Sequence, residues 1–139
     1  MERITFRLGL FSSEDDRPRS ELVLRVLLTA LVADNYTLLR AYGRAVPPIY
    51  LSGVHYEMET PPREEWKNLR AVLEDGHGDC EDLACWRVAE LRAAGFWARP
   101  AIRYRMQGRL SVYHILVERP GGVIEDPSRL LGMGGDRWA

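Results

Sequence analysis

Three residues have the types and order for nucleophilic chemistry: Cys80, His114 and Asp126. A thiol nucleophile needs a base, and the base needs an orienting group. Cys80 lies in a glycine-bounded stretch, Gly76 to Gly95. Asp79 is a good N-cap, and Asp82, three residues on, supplies the acidic half of a capping box. That spacing puts Cys80 at the first helical position. There the free backbone N–H groups and the positive end of the helix dipole favour a thiolate. Asp79, Glu81 and Asp82 would oppose this if they faced the sulfur; they read as capping residues instead. Gly95 fits the position that ends the helix.

Of the three histidines, His114 has the most rigid setting, in the middle of a predicted strand. A hairpin turn at Pro120-Gly121-Gly122 would place it opposite a position near 126 or 127. Directly paired residues lie about 5 Å apart at Cβ, so the Asp126 carboxylate can reach the imidazole. Each residue also has a plainer role. Cys80 could be a buried structural thiol, His114 a satisfied core histidine and Asp126 a cap for the Asp126-Pro127-Ser128 turn. Cys85 reads as core, and His55 and His77 as loop residues. A zinc set of His77, Cys80, Cys85 and His114 fails, because the two cysteines point to different helix faces and no Cys-x-x-Cys pair exists. No metal ligand is therefore expected.

The elements that must hold these residues follow from periodicity. Ile4, Phe6, Leu8 and Leu10 alternate with polar or small residues and predict a strand. A helix starts near Pro18 or Ser20. Its apolar face is read as Leu22, Val23, Val26, Leu27, Ala30 and Leu31, with an interruption at Asp34-Asn35 and a stop at Gly43. The segment from Val46 to Pro62, bracketed by prolines, reads as extended or looped and as the wall of a cleft. Arg63 to Glu74 reads as a short helix with Trp66 on its apolar side. After Gly95 the pattern turns to β: Ala98 to Met106, a turn at Gln107-Gly108, Leu110 to Glu118, and Val123 to Asp126. Residues 128–139 read as a covering tail.

Composition excludes several classes. The chain has 139 residues, a net charge of −1 and 46% hydrophobic content, enough for one core and with no general case for nucleic acid or a membrane as partner. All basic residues but Lys67 are arginine. No signal peptide is visible at Met1-Glu2-Arg3. The longest apolar run, Leu22 to Ala33, is broken by Arg25 and reads as too short to span a bilayer. Cys80 and Cys85 on one helix would lie about 8 Å apart, beyond disulfide reach. That suits a reducing compartment.

The runs Gly78-Asp79-Cys80-Glu81-Asp82-Leu83-Ala84, Leu91 to Gly95 with Ala98-Arg99, His114 to Glu118, and Glu125-Asp126-Pro127-Ser128 resemble the core of the transglutaminase-like cysteine peptidase superfamily. That core runs cysteine on a helix, histidine on a strand and aspartate before a proline. Pro48 to Val54, Glu64-Glu65-Trp66 and Ile124 to Met133 resemble the small stand-alone versions encoded by tailed bacteriophages. The family often has an aromatic residue two positions after the histidine; Leu116 stands there.

The resemblance implies an α+β, papain-like domain over residues 1–139, with an N-terminal strand and helix in 1–43 and the catalytic core in 76–132. The nucleophile would sit at the N-terminus of a central helix packed on a small antiparallel sheet. It implies acyl-enzyme chemistry at Cys80 on an amide bond of a peptide or protein, with His114 and Asp126 completing a triad and no cofactor. The oxyanion donors would be the Cys80 backbone N–H plus a group from Val46 to Pro62, with His55 and Tyr56 as candidates. If a tryptophan lines the cleft, Trp66 or Trp86 is expected. The setting would be a host cytoplasm or a virion, with other phage structural proteins as partners. The alternative is a non-catalytic structural or assembly component of a virion.

Overall fold

The computed structural model describes residues 1–7, 17–59, 65–107 and 110–134. The chain opens with β1 (Thr5–Arg7) and α1 (Arg17–Tyr42). Single-turn helices at Gly43–Ala45 and Ile49–Leu51 lead to β2 (His55–Tyr56) and β3 (Glu65–Lys67). Then come α2 (Leu69–Asp75), β4 (His77–Gly78), α3 (Cys80–Ala93), β5 (Arg99–Gln107), β6 (Leu110–Arg119), β7 (Val123–Glu125) and α4 (Pro127–Leu130). The sheets are small: β1 pairs antiparallel with β3, β2 pairs parallel with β4, and β5, β6 and β7 form an antiparallel meander. This is the expected α+β architecture.

The centre is α3. It packs against α1 on one side and β6 on another. Ala84, Cys85, Val88 and Ala89 meet Leu24, Leu28 and Leu31 of α1 and Ile115 and Val117 of β6 in one buried cluster. Leu83 and Trp86 face a second cluster with Leu69, Val72, Ile49 and Val54. An element buried on nearly every side shows little amphipathicity, and α3 buries Glu81 and Asp82 together with its apolar residues.

Helix α1 differs from the sequence expectation in three ways. It runs unbroken through Asp34-Asn35. Asn35 is fully buried, and its side-chain oxygen accepts the Leu69 N–H at 2.8 Å. An interior amide is tolerated because it caps a neighbouring element instead of competing for its own backbone. The buried face is Leu24, Leu28, Leu31, Val32 and Leu38, while Leu22, Val23 and Val26 are exposed. Residues 22–33 are apolar almost all round, so periodicity cannot choose the face; packing on α3 does. The apolar run also does not stop at Ala33. By length and composition the helix over Pro18–Ala45 is able to cross a membrane. Here one face of it is used as core.

The expected helix from Arg63 to Glu74 divides in two. Residues 63–64 lie outside the described residues; 65–67 form β3, paired Phe6↔Trp66 with β1. Helix α2 starts only after Asn68. That side chain accepts the Ala71 N–H at 3.0 Å and donates to the Glu2 carbonyl and to Asp34 at 2.9 and 3.0 Å. Asn68 thus caps α2 and ties it to the N-terminus and α1. Asn68→Ala is expected to lower stability by about 2 kcal/mol, an N-cap plus a buried amide hydrogen bond. A urea midpoint at unchanged m-value measures it. Lys67, the one lysine, is 4% exposed, with Nζ donating to the His77 carbonyl at 3.0 Å and to Asp75 at 3.3 Å.

The β strands after α3 match expectation in number and order. The turn at Gly108 lies outside the described residues, as do Leu8 and Leu10 of the first expected strand. The hairpin between β6 and β7 turns at Pro120–Gly122, where Gly121 and Gly122 both have φ near +76°, a conformation that glycine adopts freely.

Candidate active site

Cys80 is the first residue of α3, as its capping signals imply. Asp79 accepts the backbone N–H groups of Cys80 and of Asp82, while Asp82 Oδ2 accepts the Asp79 N–H at 3.0 Å. The other Asp82 oxygen accepts the Lys67 N–H at 2.7 Å, which fastens β3 to the start of α3. Gly78 permits this closeness: a Cβ there would stand 3.0 Å from Asp82 Cβ and 3.3 Å from a Val72 methyl. Gly95, with φ +89°, follows the C-cap of α3.

His114 is 2% exposed on β6, and its Nε2 lies 3.0 Å from Asp126 Oδ2. A carboxylate only accepts, so Nε2 carries the proton and Nδ1 is left as the basic nitrogen. Burial alone would push the Asp126 carboxyl up. The His114 hydrogen bond and charge, with the Arg129 N–H, outweigh it and hold the carboxyl below its ordinary value. The contact arises differently from the expected cross-strand pair. The observed register is Val117↔Glu125 and Arg119↔Val123, and strand pairing ends at Glu125. Asp126 instead leaves the strand as the N-cap of α4. Oδ1 accepts the Arg129 N–H at 3.3 Å while Oδ2 meets His114. The two roles that competed in the sequence are both filled, one by each oxygen.

The cysteine lies near this pair through the backbone of β6: the amide of Ile115, the residue after His114, favours the Cys80 thiolate. The electrostatics depart from expectation. Glu81 does face the thiol, with Oε2 3.3 Å from Sγ. Burial first, then the Glu81 and Asp79 charges, push the thiol well above its ordinary value, against the Ile115 amide. Magnitudes explain the outcome. A helix dipole is worth about 1 kcal/mol at a partly exposed site. A full charge about 4 Å away at an effective dielectric near 20 is worth about 4 kcal/mol. Asp79 is itself held above its ordinary value by burial, partly offset by the Cys80 and Glu59 N–H groups and by His114.

The remaining expected site residues fare unevenly. The Cys80 N–H donates to Asp79 Oδ1 at 2.7 Å and is not directed at an incoming carbonyl. The N-cap takes the very donor that the oxyanion reading required. Tyr56 is half-buried and packs against the cluster containing Cys80. His55 is exposed and stands beside Glu57 and His77. Trp66 is fully buried in the Cys80 cluster and Trp86 in the second one, so neither is an open cleft wall. Their apolar volume is used to fill the core. Leu116 is also buried. Cys80 and Cys85 are both free, and Cys85 is core, its sulfur near the Leu28 carbonyl.

Sequence reasoning missed the brace behind the His114–Asp126 pair. Arg87 of α3 meets Glu125 at 2.6 Å and Glu90 at 2.7 Å; Arg119 and the Tyr50 hydroxyl also reach Glu125, at 3.0 and 2.5 Å. Glu90 accepts the Ile49 N–H at 2.9 Å. The network ties the residue before Asp126 to the cysteine helix. Its signal was present as a glutamate beside the aspartate, but its partners are distant in sequence. An open groove lined by Arg119, Pro120, Val123, Ile124, Arg129 and Leu130 reaches Asp126.

A cysteine at a helix start, a histidine on the adjoining strand and an aspartate after the next strand now stand in one arrangement. The family model of the transglutaminase-like superfamily matches residues 36–124. The chain belongs to the transglutaminase-like superfamily. The match includes Cys80 and His114 and ends two residues before Asp126. No curated protein and no solved structure matches the chain. Membership of the transglutaminase-like superfamily suggests activity of the cysteine peptidase or acyl transferase type.

Proposed function

We propose that this protein is a thiol hydrolase or acyl transferase acting on an amide bond of a peptide or protein. The observation that carries the reading is the 3.0 Å contact between His114 Nε2 and Asp126 Oδ2, with Cys80 at the start of the helix packed on the same strand. His114 Nδ1 takes the thiol proton as Sγ attacks the amide carbon. The tetrahedral intermediate collapses to a thioester, and His114 returns the proton to the departing amine. Water, deprotonated by His114, then releases the acyl group and regenerates the thiol. A second amine in place of water gives transfer. Asp126 keeps the imidazole in the required tautomer throughout. None of these steps calls for a metal or organic cofactor. The setting carried with the proposal is a phage particle or its host cytoplasm.

Cys80 is 6% exposed, so little of the thiol is open to an incoming amide. The same burial, with the raised thiol, favours the second reading: a non-catalytic scaffold, such as a virion assembly component, that keeps the fold. Alkylation separates the two. At neutral pH the enzyme reading expects iodoacetamide to label Cys80 at least tenfold faster than Cys85, measured by peptide mass spectrometry. It also expects an acyl partner trapped on the wild type and absent from Cys80→Ala. Equal, slow labelling of both cysteines would sink the enzyme reading.

A further inference from the structure

Away from the triad, the fold gathers one more set of ligating side chains. Strands β2 and β4 pair in parallel with His55 directly against His77. Glu57 is two residues beyond His55, which in extended chain puts both on one face. His55 Nε2 and His77 Nδ1 lie 3.5 and 3.7 Å from the same oxygen, Glu57 Oε2. The two rings are 5.9 Å apart between centres. The backbone beneath them is held on both edges. The His55 N–H donates to the Gly76 carbonyl at 3.2 Å, the Glu57 N–H to Gly78 at 2.9 Å, and the Tyr56 N–H to Leu131 at 2.8 Å. All three side chains have open access, at 61%, 34% and 55% exposure for His55, His77 and Glu57.

We propose that His55, Glu57 and His77 form a binding site for a divalent transition-metal ion of the zinc class. Two imidazoles and one carboxylate are the donor set such ions take, and His55, with Glu57 just past the end of β2, stands against His77 on the paired strand. Two imidazoles bound tetrahedrally to one zinc, at about 2 Å per bond, have ring centres about 5 Å apart. The observed 5.9 Å is wider, so these exposed side chains close on the ion by rotating about their own bonds. Three protein donors leave a position for water or an added ligand. The ion would clamp β2 to β4, the strand that runs directly into Asp79 and Cys80, without entering the acyl chemistry. A rival donor group, Asp79, Cys80 and Glu81, has its ligand atoms within 4.8 Å of one another, but it is bound up in the α3 cap and the thiol contact.

The test uses the full chain carrying Cys80→Ala, which removes the soft thiol from competition. The chelator-treated protein is titrated with zinc chloride by calorimetry, and imidazole NMR signals are followed in parallel. One ion per chain is expected, with the His55 and His77 ring signals shifting together. His55→Ala and His77→Ala should each weaken binding by roughly tenfold or more, the least that loss of a ligand costs. Zinc should also raise the unfolding temperature of the Cys80→Ala chain but not of the His55→Ala, Cys80→Ala double variant. The proposal is overturned if zinc binds only when Cys80 is present, if both histidine variants keep full affinity, or if no binding is detected.

Discussion

His114→Ala is expected to slow alkylation and acylation of Cys80 at neutral pH by roughly 10²–10⁴-fold, the usual worth of a positioned general base. The effect should be large because the thiol gets so little help elsewhere. Burial and the facing Glu81 and Asp79 hold it well above its ordinary value. Thiolate forms as pH rises through the thiol's own pKa, so a raised pKa moves unaided reactivity to the alkaline side. The wild type should therefore react near neutrality, while His114→Ala should gain rate only as pH is raised further. Asp126→Asn isolates the orienting role. Asparagine remains a good N-cap for α4, so the fold is kept while the carboxylate on Nε2 is lost. It should fall between the wild type and His114→Ala. A pH series of iodoacetamide rates, read separately at Cys80 and Cys85, measures all three. An unchanged profile in His114→Ala removes the histidine from the mechanism.

Trp66→Ala should cost about 3–5 kcal/mol of folding stability, the range for deleting a fully buried aromatic side chain. That is a large part of the 5–15 kcal/mol typical of a domain. The side chain sits on β3, in register with Phe6 of β1, in the cluster that contains Cys80 and α1. Trp66→Phe should cost far less. Among the described residues the indole Nε1 is buried without a hydrogen-bond partner, so removing it offsets part of the lost volume. Denaturant unfolding of the three proteins gives the order wild type, Trp66→Phe, Trp66→Ala. A cleft-lining tryptophan would do the opposite: both variants would stay stable and lose substrate affinity.

The contrast between Trp66 and Cys80 shows where the chain was legible. Cys80 was readable because its signals are local. Asp79, Asp82 and Gly95 act within one helix, and capping depends on spacing of a few residues. His114 was readable as a rigid strand position, and Asp126 by its place after the hairpin. Trp66 was not, because Glu65–Lys67 is a strand only through its pairing with β1, some sixty residues earlier. The buried face of α1 was equally hidden, since a run apolar on all sides carries no phase.

What the amino-acid sequence determined by itself is the order of the candidate residues Cys80, His114 and Asp126 and the helix start that carries the thiol, since that start rests on contacts a few residues apart. Tertiary structure decided the rest. It brought Asp126 to His114 through a helix cap instead of a strand pair. It also set His55 against His77. Each depends on how separate elements dock, and docking is governed by burial and shape summed over the whole core, which no short stretch of sequence encodes.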